Sequence, residues 1–185
     1  MKSWCQLTVN ILAALLATGT LFAQSFWDNK DFMRWTGEEV TKLTTDSPWA
    51  QKVNDLTITW LTALPVKQAL LKERMEAGGA LAESAKEIIA GGEMYYAIGL
   101  TGLTPDTAKK LTEAALRLPD KPQIDPANAN FQPSGRTVDV MILFPRTKPI
   151  TVEDKEVEVI LKLDGVEIGK KFPLKDMVYK GKLEL

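Results

Sequence analysis

Val157-Glu158-Val159-Ile160-Leu161-Lys162-Leu163-Asp164-Gly165-Val166-Glu167-Ile168 is the stretch whose reading decides the fold. Apolar residues fall mainly on alternate positions on both sides of Asp164-Gly165, so a two-residue turn joins two antiparallel strands. Asp-Gly supplies the positive φ that a type I′ turn demands at both central positions. That turn sets Leu163 opposite Val166 and Leu161 opposite Ile168, so turn chemistry and hydrophobic pattern select one register. Upstream, Val138-Asp139-Val140-Met141-Ile142-Leu143-Phe144 reads as a strand consecutive with these two. It is apolar on both faces toward its end, as a central strand covered on both sides would be. A two-stranded ribbon is marginal in water, so the rest of the chain must extend or cover this sheet.

The chain has 185 residues, enough for one well-buried domain. With 23 basic and 24 acidic side chains interspersed, it offers no electrostatic footprint for a nucleic-acid backbone. The late lysines Lys162, Lys170, Lys171, Lys175, Lys180 and Lys182 alternate with Asp164, Glu167, Asp176 and Glu184 and read as a solvated face. At the N-terminus, Lys2 precedes an uncharged run from Ser3 to Trp27 with an apolar centre, Ile11 to Leu16. Leu21-Phe22-Ala23-Gln24 follows, and residues 1–23 read as a secretory signal cleaved after Ala23. The expected destination is outside the cytoplasm, periplasmic or extracellular. The segment is long enough to hold the protein on a membrane if it stays uncleaved. Cys5, the single cysteine, lies within it, so the mature chain has neither disulfide nor thiol chemistry.

Residues 24–50 form a tryptophan-rich segment. Thr36 with Glu39 makes a capping box, Trp35 is placed to close over Val40 as a staple, and Pro48 stops the helix near Asp46. Trp27, Trp35 and Trp49, three of the five tryptophans, bracket this helix. They are the expected contact surface for a partner, the alternative being that they anchor a short helix with few aliphatic residues.

Residues 51–185 read as a single α+β domain. Asp55–Leu61 is a strand, and Leu64-Pro65 opens a helix that ends at Gly78-Gly79. A second helical run spans Leu81–Ala90. Met94–Leu100 is a strand whose small Ala97 and Gly99 admit a close neighbour. Thr104-Pro105-Asp106 starts a helix expected to run to about Leu118. Pro119 to Arg136 reads as an irregular loop pinned by Ile124 and Phe131. Pro145–Asp154 is a long connection with one helical turn at Thr151–Asp154, and Lys180–Leu185 is a candidate edge strand. The order α-β-α-α-β-α-β-β-β predicts an α+β fold, a mostly antiparallel sheet of about five strands with helices packed on one face.

The chain contains no histidine, which removes Ser-His-Asp and Cys-His nucleophilic systems and most zinc, copper and haem sites. Phosphate-cradling glycine motifs are missing too, so no cofactor and no metal is expected. Acids such as Glu38, Glu39 and Asp46 leave a carboxylate-dependent hydrolase open, although capping already accounts for Glu39. What remains is binding. Arg146 and Asp154 flank the long connection and are expected to meet across its mouth. Arg146, Lys148 and Lys155 beside them form a candidate recognition edge for an anionic group.

Trp35 with Asp46-Ser47-Pro48-Trp49-Ala50, Phe144-Pro145-Arg146, Asp154-Lys155-Glu156-Val157, Leu174-Lys175-Asp176-Met177 and Gly181-Lys182-Leu183-Glu184-Leu185 carry a resemblance. Through them the chain resembles a family of uncharacterised exported bacterial proteins. The resemblance implies export and a shared fold and lends no catalytic residue. The expected function is therefore an exported, non-enzymatic binding or assembly module of the bacterial cell envelope, with an envelope protein as the expected partner. The alternatives are a small-ligand carrier, with a cleft between sheet and helices lidded by the proline-rich loop, and the hydrolase. A contact surface requires the three tryptophans exposed in a patch, whereas a carrier requires them buried beside a closed apolar pocket.

Overall fold

The computed structural model describes residues 25–78 and 94–185. The segment read as a signal, 1–23, and the helical run Leu81–Ala90 lie outside the described residues.

Two short turns, α1 (Phe26–Asn29) and a 3₁₀ turn at Phe32–Arg34, lead into α2 (Gly37–Thr45). The capping box forms as predicted: Thr36 Oγ1 accepts from Glu39 N at 3.3 Å, and Glu39 Oε2 accepts from Thr36 N at 2.7 Å. α2 ends at the cap residue Asp46, two before Pro48. β1 (Ala50–Val53) and β2 (Leu56–Trp60) follow as a hairpin, of which only the second strand was expected. α3 (Leu64–Glu76) begins with Pro65 in its first turn, as read. Next come β3 (Tyr95–Leu103), a single turn α4 (Pro105–Ala108), and β4 (Leu111–Arg117). β5 (Asn128–Ser134) and β6 (Thr137–Pro145) form a hairpin. β7 (Glu156–Leu163) and β8 (Val166–Pro173) make the Asp-Gly hairpin, and β9 (Val178–Tyr179) with β10 (Lys182–Leu183) closes the chain.

The architecture is α+β and antiparallel. Sheet order is β1-β2-β3-β6-β5 in one sheet, β4-β7-β8 in a second, and β9-β10 in a small third ribbon. The inner face of the large sheet carries Ile58, Trp60, Ile98, Leu100, Val140, Ile142 and Phe144, all buried. Opposite lie Val157, Val159, Leu161 and Phe172 of the second sheet. Trp60 and Phe172 meet edge to face across the interface with centroids 6.0 Å apart, so the two sheets share one core. α2 covers the other face over β1 and β2, where Thr59 Oγ1 donates to Thr44 O at 3.3 Å, and α3 packs against α2.

The turn at Asp164-Gly165 has φ of 52° and 79°, and Leu163 pairs with Val166 and Leu161 with Ile168, as its chemistry required. Five other expectations are corrected. The three strands from Val138 to Phe172 do not form one sheet, because the Pro145–Glu156 connection crosses from the large sheet to the second. β6 is covered on one face only, leaving Met141 exposed on the other. The helix from Thr104 stops after Ala108, and Leu111–Arg117 instead gives β7 its second hydrogen-bonding neighbour, so pairing overrides a helix-favouring composition. The Pro119–Arg136 loop contains a bridge, Leu116 to Ile124, and the whole of β5. The terminal segment makes its own ribbon and extends neither larger sheet.

β5 is an edge strand with every residue exposed. Ser134 sits opposite Thr137 across the two-residue turn Gly135-Arg136, so ladder alternation directs the main-chain groups of Asn130 and Gln132 toward β6. Those of Ala129, Phe131 and Pro133 then face the open edge. Pro133 has no N–H to offer, and the Ala129 N–H is taken by Asn128 Oδ1 at 2.8 Å. The edge is blunted without a single charge.

Candidate functional site

The Pro145–Lys155 connection gathers Arg146, Lys148, Asp154 and Lys155, and the structure separates their roles. Its helical turn, Val152–Asp154, closes as a capping box in which Asp154 Oδ2 accepts from Thr151 N at 2.9 Å. The same oxygen accepts from Lys121 Nζ at 2.7 Å. Asp154 is buried, and burial alone would raise its carboxyl, but Lys121 and Thr151 together hold it below its ordinary value. The expected Arg146–Asp154 pair is therefore not made; Asp154 answers to Lys121, from the stretch read as an irregular loop.

Arg146 is turned the other way. Its Nε donates to Tyr95 O at 3.2 Å, its Nη2 donates to Leu185 O, and its guanidinium carbon lies 4.2 Å above the Tyr96 ring. Tyr96 is itself fixed, its hydroxyl accepting from Ile150 N at 2.8 Å. Burial pushes the Arg146 pKa below its usual value, with Tyr96 and Glu184 acting against it; an arginine shifted downward still carries its charge at neutral pH.

Two clefts flank the connection, and Pro149 and Ile150 wall both. The larger, about 570 Å³, is lined by Arg146, Tyr96, Thr151, Val152, Val178 and Leu183 among others. The smaller, about 320 Å³, holds Lys121, Gln123, Asp125, Thr147 and Lys148 over Leu118 and Ile124. Arg146 and Lys148 thus serve opposite sides of one wall, and Lys155 lines neither cleft. Lys155 instead takes a left-handed φ of 65° and accepts from Leu174 N at 2.8 Å, joining the connection to the segment after β8. The three cations do not form a single edge.

The tryptophans are not a surface. Trp27, Trp35 and Trp49 are 8%, 2% and 0% exposed, because each packs into the common core. Trp27 and Trp49 stack edge to face at 5.6 Å, Trp35 Nε1 donates to Lys30 O at 3.2 Å, and Trp49 Nε1 donates to Glu184 O at 2.9 Å. They anchor a helix that buries only Val40 and Leu43 of its own residues. Of the acids considered for hydrolysis, Glu39 is held by Lys30 at 2.7 Å and by the capping box, and both lower its pKa.

A third concavity, about 710 Å³, lies between α3 and the uncovered face of β3, β6 and β5. Leu70, Glu73, Arg74, Gly99, Gln132 and Met141 are among its walls. A Cβ on Gly99 would stand 3.0 Å from the Leu61 side chain, so the close neighbour that small residue admits is Leu61. The proline-rich stretch supplies a wall here through Asn130 and Gln132, where a lid was expected.

Two residues central to the geometry, Tyr96 and Lys121, carried no signal: one sits inside an ordinary strand pattern, and the other meets its partner 33 positions away. Among the described residues, no group of three or more His, Cys, Asp or Glu side chains could hold a metal ion. No described helix is long and apolar enough to cross a membrane. Compared with protein-family models, with curated proteins and with solved structures, the chain matches none.

Proposed function

We propose that the protein is an exported, non-enzymatic binding module of the bacterial cell envelope, and that it holds its ligand in the clefts flanking Pro145–Lys155. Export rests on the leader pattern and on the resemblance carried by the Phe144-Pro145-Arg146 and Asp154-Lys155-Glu156-Val157 motifs. The observation that carries the binding reading is the Arg146 geometry. Two of the five guanidinium N–H donors go to main-chain oxygens, and the residue still lines a 570 Å³ cleft, as a recognition residue does. Among the described residues, the carboxylates whose surroundings move them, Glu39, Glu153 and Asp154, all move down, away from the range a general acid needs. Burial of Trp27, Trp35 and Trp49 favours a small-ligand carrier over a protein-docking face within this reading.

A photo-crosslinking residue placed at Val152, and separately at Lys148, in the native envelope tests the proposal. One reproducible adduct from either position, missing with the probe at exposed Val166, is the expected result. Free, unadducted protein from both positions refutes it.

A further inference from the structure

We infer that β8 is an open sheet edge on which a second copy of the chain docks, the two β8 strands pairing antiparallel about a two-fold axis at Gly169. The inference is independent of the Arg146 cleft.

The edge follows from the turn. Leu163 and Val166 flank the two-residue turn as a hydrogen-bonded pair, so the main-chain groups of Val166, Ile168, Lys170 and Phe172 turn toward β7. Those of Glu167, Gly169 and Lys171 point outward, and none meets a partner among the described residues. Other edges are closed or blunted: Leu116 of β4 exchanges both hydrogen bonds with Ile124, Ala50 of β1 does so with Ser47, and β5 has Pro133 and the Asn128 cap. β8 has no bulge against β7 and no proline before Pro173. A cleft of about 580 Å³ between Lys170, Lys171 and Pro173 on one side and Gln51 and Lys52 of β1 on the other leaves room beside it.

The charges choose the occupant. On the outer face of the second sheet, one row across β4, β7 and β8 reads Arg117, Glu158, Lys171, and another reads Glu113, Lys162, Glu167. Signs alternate along each row, and the two rows are opposite in sense. Between them runs an uncharged row, Ala115, Ile160 and Gly169. A two-fold axis at Gly169 sets Lys171 against Glu167 of the second copy and Glu167 against its Lys171, so both rows go on alternating into the second copy. This register engages all three outward residues and gives about six main-chain hydrogen bonds. Registers centred on Glu167 or Lys171 set like charges opposite each other. No surplus charge is needed: Lys171 Nζ already lies 2.6 Å from Glu156 and Arg117 3.7 Å from Glu167, both at exposed positions. The main-chain ladder supplies the attraction, and the charges fix register and partner. Glu158 folds over Gly169, where a Cβ would stand 2.5 Å from its Oε1, and each copy's Glu158 is flanked by its own Arg117 and Lys171. On the inner face, the same register sets Val166, 63% exposed in one chain, opposite Phe172 of the second copy, and Ile168 opposite the stem of Lys170.

Sedimentation equilibrium of the chain expressed from its complete sequence tests the inference. A dimer with a dissociation constant below about 1 mM is expected of so small an interface. Glu167→Lys sets like charges opposite in a homodimer, as does Lys171→Glu, and each variant alone should dimerise at least about tenfold more weakly. Mixed in equal amounts they restore both unlike pairs, and a heterodimer within about threefold of the parent affinity is expected. If either variant folds poorly, the parent decides. Its amide exchange at Glu167, Gly169 and Lys171 should slow at least about tenfold between dilute and millimolar protein, with no change at Phe131 on the β5 edge. In the purified parent, a crosslinking probe at Val166 should join two copies, a product of twice the chain mass that the ligand adduct sought from Val152 and Lys148 cannot mimic. A parent still monomeric at about 1 mM, a mixture that sediments like its separate components, or amides that do not slow overturns the inference. A monomer that still gives the Val152 or Lys148 adduct leaves the binding module standing and removes only this interface.

Discussion

Lys121→Ala is the sharpest perturbation of the candidate site, because it removes the one side chain joining the 119–127 stretch to the long connection through Asp154. Lys121 Nζ lies 2.7 Å from Asp154 Oδ2, with the lysine side chain 36% exposed and the aspartate 7%. At an effective dielectric of about 20, the Coulomb attraction is about 6 kcal/mol before desolvation. Solvent at the lysine end screens it toward the roughly 1 kcal/mol of surface pairs, and the buried aspartate pulls it toward the 3–5 kcal/mol loss seen when a buried pair is broken. A loss of about 2 kcal/mol at pH 7 is expected. The pH dependence is the stronger signature. In the intact protein the native Asp154 pKa lies below its unfolded value, so its stabilisation is present above the unfolded value and fades as the pH falls through the native one. Without Lys121, burial dominates and the native pKa rises, so the penalty disappears as acid protonates the carboxyl. Urea denaturation of both proteins from pH 7 down to about pH 3 should show the gap closing. A gap under about 0.5 kcal/mol at pH 7, or one unchanged by acid, refutes the assignment.

The remaining expectations concern the scaffold. Trp49 and Trp60 are both fully buried, but Trp49 Nε1 donates to Glu184 O whereas Trp60 Nε1 has no partner among the described residues. Trp49→Phe should therefore cost at least about 1 kcal/mol more than Trp60→Phe by urea denaturation, since only the first orphans a carbonyl. Gly102 has φ of +94°, and a Cβ there would stand 2.2 Å from Asp55 O, so Gly102→Ala should cost about 3 kcal/mol or more. Gly37→Ala, with nothing within 4 Å, should change stability by under about 1 kcal/mol in the same assay. Replacing both edge guards, Asn128→Ala with Pro133→Val, frees the Ala129 N–H and adds one at 133. Sedimentation should then show self-association beyond the parent's, and an unchanged profile at matched concentration would contradict the edge argument.

Whatever depended on neighbours in sequence was legible. The Asp164-Gly165 turn, the Thr36–Glu39 capping box, the proline start of α3 and the Thr151–Asp154 turn are each decided within about five residues, and each formed. What depended on distant partners was not. Leu111–Arg117 contains Glu113, Ala114, Ala115 and Leu116, residues at home in a helix, and became a strand because β7 supplied a ladder 40 or more positions on. β5 lies wholly on the surface, so it has no buried face to impose an alternating pattern. Arg146 and Asp154 were matched by closeness along the chain, whereas the nearest cation in space to Asp154 comes from before β5. The tryptophans were ambiguous for the same reason, since the helix needing them as anchors and a partner needing them as contacts call for the same residues.

The wall of the Arg146 cleft and the clamp of the fold are one segment. Glu184 accepts from Trp49 Nε1 through its main chain and from Leu64 N through its side chain, and Tyr179 donates to Gln68 Oε1 at 2.9 Å. Leu185 accepts from Arg146, while Val178 and Leu183 of the same segment face the cleft. The residues that fasten α2, α3 and β6 together therefore also fix the position of the guanidinium and the apolar wall beside it. A ligand entering that cleft meets groups already held by the core, so little ordering opposes binding. Because the wall comes apart when the clamp does, anything bound there must also raise the stability of the whole protein, by an amount set by its concentration relative to its dissociation constant.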